Sequence, residues 1–253
     1  MSSIGTGYDL SAPQILPDGR VFQVKYAFKA IKNSGTAIVL CGSDGVVFAV
    51  VRLVKSKLYE DCTGKRLFSV EDHIGMAVGG STADASAILN VAREEARSYR
   101  QNYSMPISLE YLNERVSEYL RIHTLYSYIR PFGCTVIIGS YDPQDGPQMY
   151  MIDPAGVSFG YFGCAIGEAK QTAQTEIEKL NLNTMTCKEL IKEAVKIIYM
   201  VHDELKDKQF ELELSWVGSH TNGKHEEVSK EVFDDALKYA KASLDDNSGS
   251  DGE

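Results

Sequence analysis

No apolar run in this 253-residue chain approaches the ~20 residues that a membrane-spanning helix needs, so no membrane role is expected. The first residues lack the charged-then-apolar pattern of a secretory leader, and a cytoplasmic and nuclear location is the corresponding expectation. Positive charge is in deficit: 26 Lys and Arg face 35 Asp and Glu, a net charge of −9, which argues against nucleic acid or an anionic membrane as a partner. Cys41, Cys62, Cys134, Cys164 and Cys187 are odd in number and contain no CxxC spacing, which fits reduced thiols better than a disulfide framework or a zinc site. Phosphate-binding GxGxxG and GKS/GKT patterns are missing; Gly79-Gly80 before a helix reads as a tight strand-to-helix turn. His220 and His225 have no Cys or carboxylate at ligand spacing along the chain. No cofactor and no metal are expected.

The residues that are present describe an ordinary globular protein, 43% hydrophobic and 24% charged. After an irregular arm, Pro17-Asp18-Gly19 leads into a helical pattern in which Val21, Val24, Ala27, Phe28 and Ile31 share a face. Asp18 is its expected N-cap and Asn33-Ser34-Gly35 its stop. Strands are expected over 36–41 and 46–51, joined through Asp44-Gly45, and then over 66–70 and 74–78. Ser81 with Asp84 resembles a capping box, followed by a face of Ala85, Ile88, Leu89, Ala92 and Ala96; a second helix spans about 108–122. Strands return over 134–141, 148–152 and 157–163. Two helices follow, the second opened by Thr186 and Glu189. Strict alternation over 210–217 predicts a strand with Leu212, Leu214 and Trp216 inward and Glu211, Glu213 and Ser215 on a wet face. A last helix is expected over about 229–242. Strands and helices come in blocks, so the class is α+β with largely antiparallel sheets, two sheets face to face and helix pairs outside. No linker divides the chain, and residues 1–244 read as one domain ahead of a disordered acidic tail, 245–253.

Particular motifs carry a resemblance. Gly7-Tyr8-Asp9, Pro17-Asp18-Gly19-Arg20 and Phe22-Gln23-Val24-Lys25-Tyr26-Ala27 are similar to the N-terminal signature of proteasome alpha subunits, with Lys25 where that family usually has Glu. Arg130-Pro131-Phe132-Gly133-Cys134, Ile152-Asp153-Pro154-Ala155-Gly156, Glu176-Ile177-Glu178-Lys179-Leu180 and Val201-His202-Asp203-Glu204 extend the resemblance over nearly the whole chain. The opening Gly5-Thr6-Gly7-Tyr8-Asp9-Leu10, the run Leu214-Ser215-Trp216-Val217-Gly218 and the acidic end look most like the type-3 branch. The resemblance implies the four-layer αββα sandwich of N-terminal nucleophile hydrolases, with an extra N-terminal helix (20–33) behind a gate arm (1–19).

That fold invites a test for chemistry. An N-terminal nucleophile enzyme activates a Thr hydroxyl through that residue's own free amine. Gly35-Thr36 stands where catalytic relatives begin, so the alternative reading is a divergent threonine hydrolase using Thr36 after loss of residues 1–35. Against it, those residues carry an amphipathic helix, Val51 stands where catalytic subunits have a supporting Asp, and the catalytic Lys position falls near Lys65-Arg66 within an alpha-type pattern. The resemblance therefore implies a non-catalytic subunit of a threonine protease complex. It implies neighbouring alpha subunits in a heteroheptameric ring, beta-ring subunits, and a regulatory particle or other activators as partners in ubiquitin-dependent protein degradation.

Carried over residue by residue, Tyr8, Asp9, Pro17 and Tyr26 would support the gate, and Gly19, Lys65 and Arg66 the activator pocket, with Arg66 at the family's usual Lys. Ser243, Ser248 and Ser250 each have an acid three residues on, the pattern acidophilic kinases accept. Lys25, Lys29 and Lys32 lie at i, i+4 and i+7, a spacing at which like charges cost about 0.2–0.5 kcal/mol per pair; carboxylates from this chain or a neighbour are expected to face them.

Overall fold

A computed structural model describes residue 15, residues 19–53, residue 58, residues 64–203 and residues 210–248. Two five-stranded sheets form its centre. One has the order β10-β9-β2-β1-β8 and the other β3-β4-β5-β6-β7. In chain order the elements are α1 (Phe22–Lys32), β1 (Ala37–Cys41), β2 (Gly45–Leu53), β3 (Leu67–Glu71), β4 (Ile74–Gly80), α2 (Thr82–Tyr103) and α3 (Leu109–Leu125). They continue with β5 (Cys134–Asp142), β6 (Gly146–Ile152), β7 (Ser158–Gly160), β8 (Gly163–Ile166), α4 (Lys170–Glu178), α5 (Cys187–Asp203), β9 (Phe210–Gly218), β10 (His225–Glu227) and α6 (Lys230–Ser248). The paired strands run antiparallel.

The period of two along β1 sorts its side chains between two cores. Ile38 and Leu40 point to a cluster with α4, α5 and α6. Ala37, Val39 and Cys41 point the other way, meeting Ala77, Ile137 and Met149 of the second sheet. A third cluster packs α2 and α3 on the far side of that sheet. These clusters are the three interfaces of a four-layer α+β sandwich, as expected. Ala85, Ile88, Leu89, Ala92 and Ala96 of α2 are all buried, so its helical period was a sound guide.

Four local expectations are corrected. The run 157–163 is two strands in different sheets: β7 pairs with β6, and β8 pairs with β1. Continuous β propensity hides the crossing because both halves are strand. The face of β9 expected to be wet is covered only in part: Glu211 is exposed, but Ser215 is buried against His225, and Glu213 accepts the Arg66 and Leu67 N–H groups at 3.1 and 3.3 Å. Ser215 and Glu213 are inside because they are bonded. Helix α1 begins at Phe22 with Val21 as an extended N-cap that makes no side-chain cap; the expected cap, Asp18, lies outside the described residues. Helix α6 runs to Ser248, so residues 245–248 are helical where a disordered tail was expected. Once a helix is nucleated, each added residue gains a backbone bond without a new nucleus, and polar residues can extend it.

Candidate functional site

The segment Asn33 to Thr36 joins α1 to β1 and is held from three directions. Ser34 Oγ donates to Ile31 O at 2.7 Å, closing the end of α1. The Ser34 carbonyl accepts Glu168 N–H at 2.9 Å, and the Thr36 carbonyl accepts Val51 N–H at 2.8 Å. Gly35 is required here, since a Cβ would lie 2.3 Å from Val51 O. Gly167, at φ +102, closes on the Gly35 carbonyl from the other side.

Thr36 is buried, and its nitrogen is an amide in the chain from Gly35. Its Oγ1 accepts the Ala169 N–H at 3.3 Å, at the start of α4. A cavity of about 50 Å³ beside it is lined by Val51, Leu53, Ile198, Val201, Glu168 and His202. Val51 offers this space a methyl surface, with neither charge nor acceptor. Upstream, α1 packs over β4 and β5, burying Ala27 and Ile31. The helix is part of the fold that positions Thr36.

A larger cavity, about 430 Å³, opens where the end of α1 meets the ends of β2 and β4. Ser34, Gly35, Arg52, Arg66, Gly80 and Ser81 are among its lining residues. Arg66 Nη1 donates to Gly80 O at 2.9 Å, so its guanidinium is fixed on the rim. Burial lowers the Arg66 pKa from its ordinary value while the Glu213 charge opposes that shift, and the group remains a cation.

The expected activator set is only partly brought together. Arg66 lines this cavity. Lys65 turns away to pair with Glu227 at 3.3 Å and lines a separate cavity of about 400 Å³. Gly19 holds φ +78 ahead of α1. Of the gate set, Tyr26 is half exposed and stacks on Phe22 with centroids 5.9 Å apart. Tyr8, Asp9 and Pro17 lie outside the described residues. Ser243 is helical and donates from Oγ to Tyr239 O at 2.9 Å; the Ser248 backbone ends α6, and Ser250 lies outside the described residues. Lys25, Lys29 and Lys32 are exposed, and among the described residues no carboxylate of this chain pairs with them.

The two histidines considered for a metal pair go to opposite places. His225 lies between the sheets, Nδ1 2.7 Å from Ser69 Oγ and Nε2 2.8 Å from Ser215 Oγ, and burial pushes its pKa down to about 4. His220 turns outward toward Asp44 and Cys187. Sequence reasoning missed that second grouping because its members come from three distant segments.

A family profile described as proteasome subunit matches residues 31–217. The chain is 51% identical over 246 residues to "Proteasome subunit alpha type-3" of Arabidopsis thaliana, covering 97% of this chain and 98% of that protein. The Drosophila melanogaster protein of the same description is 51% identical over 246 residues, covering 97% of each. "Probable proteasome subunit alpha type-7" of Saccharomyces cerevisiae is 42% identical over 248 residues, covering 96% of this chain and 86% of that protein.

Proposed function

Since this chain belongs to the proteasome subunit family, and to its alpha type-3 branch, we propose that it is a non-catalytic alpha-ring subunit of the 20S core particle. The observation that carries this reading is the placement of Thr36. Its hydroxyl serves the start of α4, and Val51, which has neither charge nor acceptor on its side chain, stands beside it. Catalysis at Thr36 would require removal of residues 1–35, and with them a helix that buries Ala27 and Ile31 on the second sheet. The cost of stripping that packing stands against the hydrolase alternative.

The finer proposal has three parts. The subunit assembles with neighbouring alpha subunits and stacks on beta subunits. Its arm, with Tyr8, Asp9, Pro17 and Tyr26, takes part in gating the axial pore. The cavity rimmed by Arg66 and Gly80 receives an activator's C-terminal carboxylate, for which a fixed guanidinium is a suitable partner. Work in the cytoplasm and nucleus on ubiquitin-marked substrates follows from that assignment.

The test is isolation of the assembly through a C-terminal tag on this chain. Stoichiometric recovery with alpha and beta subunits supports the assignment; recovery of a free monomer with peptidase activity rejects it. Removing residues 1–9 is then expected to raise peptide hydrolysis by the particle, and Arg66→Ala to weaken activator binding.

A further inference from the structure

We propose that Asp44, Cys187 and His220 form a site for a borderline-soft divalent cation of the zinc type. Asp44 lies in the turn between β1 and β2, Cys187 opens α5, and His220 follows β9. One ligand atom from each lies within 4.8 Å of the other two. A tetrahedral zinc site with ordinary bond lengths has ligand–ligand separations of about 3.5 Å, so no pair needs to close by more than about 1.3 Å on binding. Exposed His220, on a single turn of 3-10 helix (Ser219–Thr221), can supply that movement. Thiolate, imidazole and carboxylate together select zinc-like ions over magnesium or calcium, which prefer all-oxygen shells.

The ligands are held by the groups behind them, as metal ligands are. Asp44 Oδ1 accepts the Cys187 N–H at 2.7 Å, and the Asp44 carbonyl accepts the Ser219 N–H at 2.8 Å, tying all three segments together through one residue. His220 packs edge-on against Trp216, centroids 4.1 Å apart. It also lies over Gly218, where a Cβ would come within 3.0 Å of Cε1. Cys187 is buried, its Sγ packed over Gly45.

Binding breaks the Cys187 S–H bond and forms a sulfur–metal bond, the proton passing to solvent. Asp44 and neutral His220 donate lone pairs, and water from the open side of His220 completes the shell. A divalent ion, a thiolate and a carboxylate sum to zero charge, which suits a half-buried place. Lys188 and Glu226 are the further charges near His220, of opposite sign. The ion would pin the turn after β1, the start of α5 and the segment after β9 to one another.

The test uses the reduced full-length chain with Co²⁺ as probe and Zn²⁺ as competitor. One Co²⁺ per chain with a thiolate charge-transfer band, displaced by Zn²⁺, is expected. His220→Leu should weaken binding by at least about tenfold, and Cys187→Ser should abolish the band. Cys62→Ser controls for a thiol outside the described residues and should leave the band intact. A band that survives His220→Leu, a band lost with Cys62→Ser, or no stoichiometric binding by the unaltered chain overturns the site.

Discussion

Arg130 grips Asp84 with both ends of its guanidinium, Nη2 to Oδ1 at 2.6 Å and Nη1 to Oδ2 at 2.7 Å. Asp84 lies in the first turn of α2 and is buried, and Oδ2 also accepts the Gly133 N–H at 2.7 Å. The pair fastens the start of α2 to the loop entering β5. The Arg130 hydrogen bonds hold the Asp84 pKa below its ordinary value, with the Gly133 N–H assisting. Asp84→Ala leaves a buried N–H and a cation without their acceptor and is expected to cost about 1–3 kcal/mol. Arg130→Ala leaves the buried Asp84 carboxylate with the Gly133 N–H as its remaining donor among these contacts, and should also cost about 1–3 kcal/mol. Urea denaturation of each variant measures the cost. Because the Asp84 pKa is depressed by folding, this stabilisation is present above the unfolded carboxylate pKa and is lost as pH falls below it.

Asp84 also illustrates what was legible in the sequence. Ser81-x-x-Asp84 reads correctly as a helix start, and Ser81 Oγ accepts the Asp84 N–H at 3.5 Å. The carboxylate, however, serves residues 46 and 49 positions away, which spacing cannot show. Apolar periodicity recovers the helices and most strands because burial repeats along the chain. It fails at β10, which has three residues and no apolar pattern, and at Ser215 and Glu213, where hydrogen bonds replace apolarity. The Asp44–Cys187–His220 grouping is invisible for the same reason as the Asp84 carboxylate.

His225 makes the fold acid-sensitive in a definite window. Burial lowers its pKa from 6.5 to about 4, so between those values the unfolded chain binds a proton that the folded chain does not. Stability should therefore fall as pH drops from 6.5 to about 4, by about 2–4 kcal/mol in total. His225→Gln should lower stability at neutral pH and flatten that dependence. Urea midpoints across the range check both.

In an assembled alpha ring, Lys25, Lys29 and Lys32 are expected to meet carboxylates of a neighbouring subunit. Zero-length carbodiimide cross-linking of the assembled particle should join at least one of these lysines to an acidic residue of another chain. Lys25→Glu together with Lys29→Glu should reduce incorporation into the ring. Unchanged incorporation and an absence of such cross-links would remove the proposed contact.

Thr36→Ala separates structure from chemistry. The substitution removes the acceptor of a buried Ala169 N–H and should cost about 1–3 kcal/mol of stability. Peptide hydrolysis per assembled particle should not change.

The mature form of the chain inside the native particle tests the central claim most directly. Intact mass spectrometry of subunits released from the endogenous assembly, after treatment with an inhibitor that labels catalytic N-terminal threonines, is the measurement. The expected result is a chain that retains the residues preceding Thr36 and carries no inhibitor. A chain that begins at Thr36 and bears the label would contradict the account.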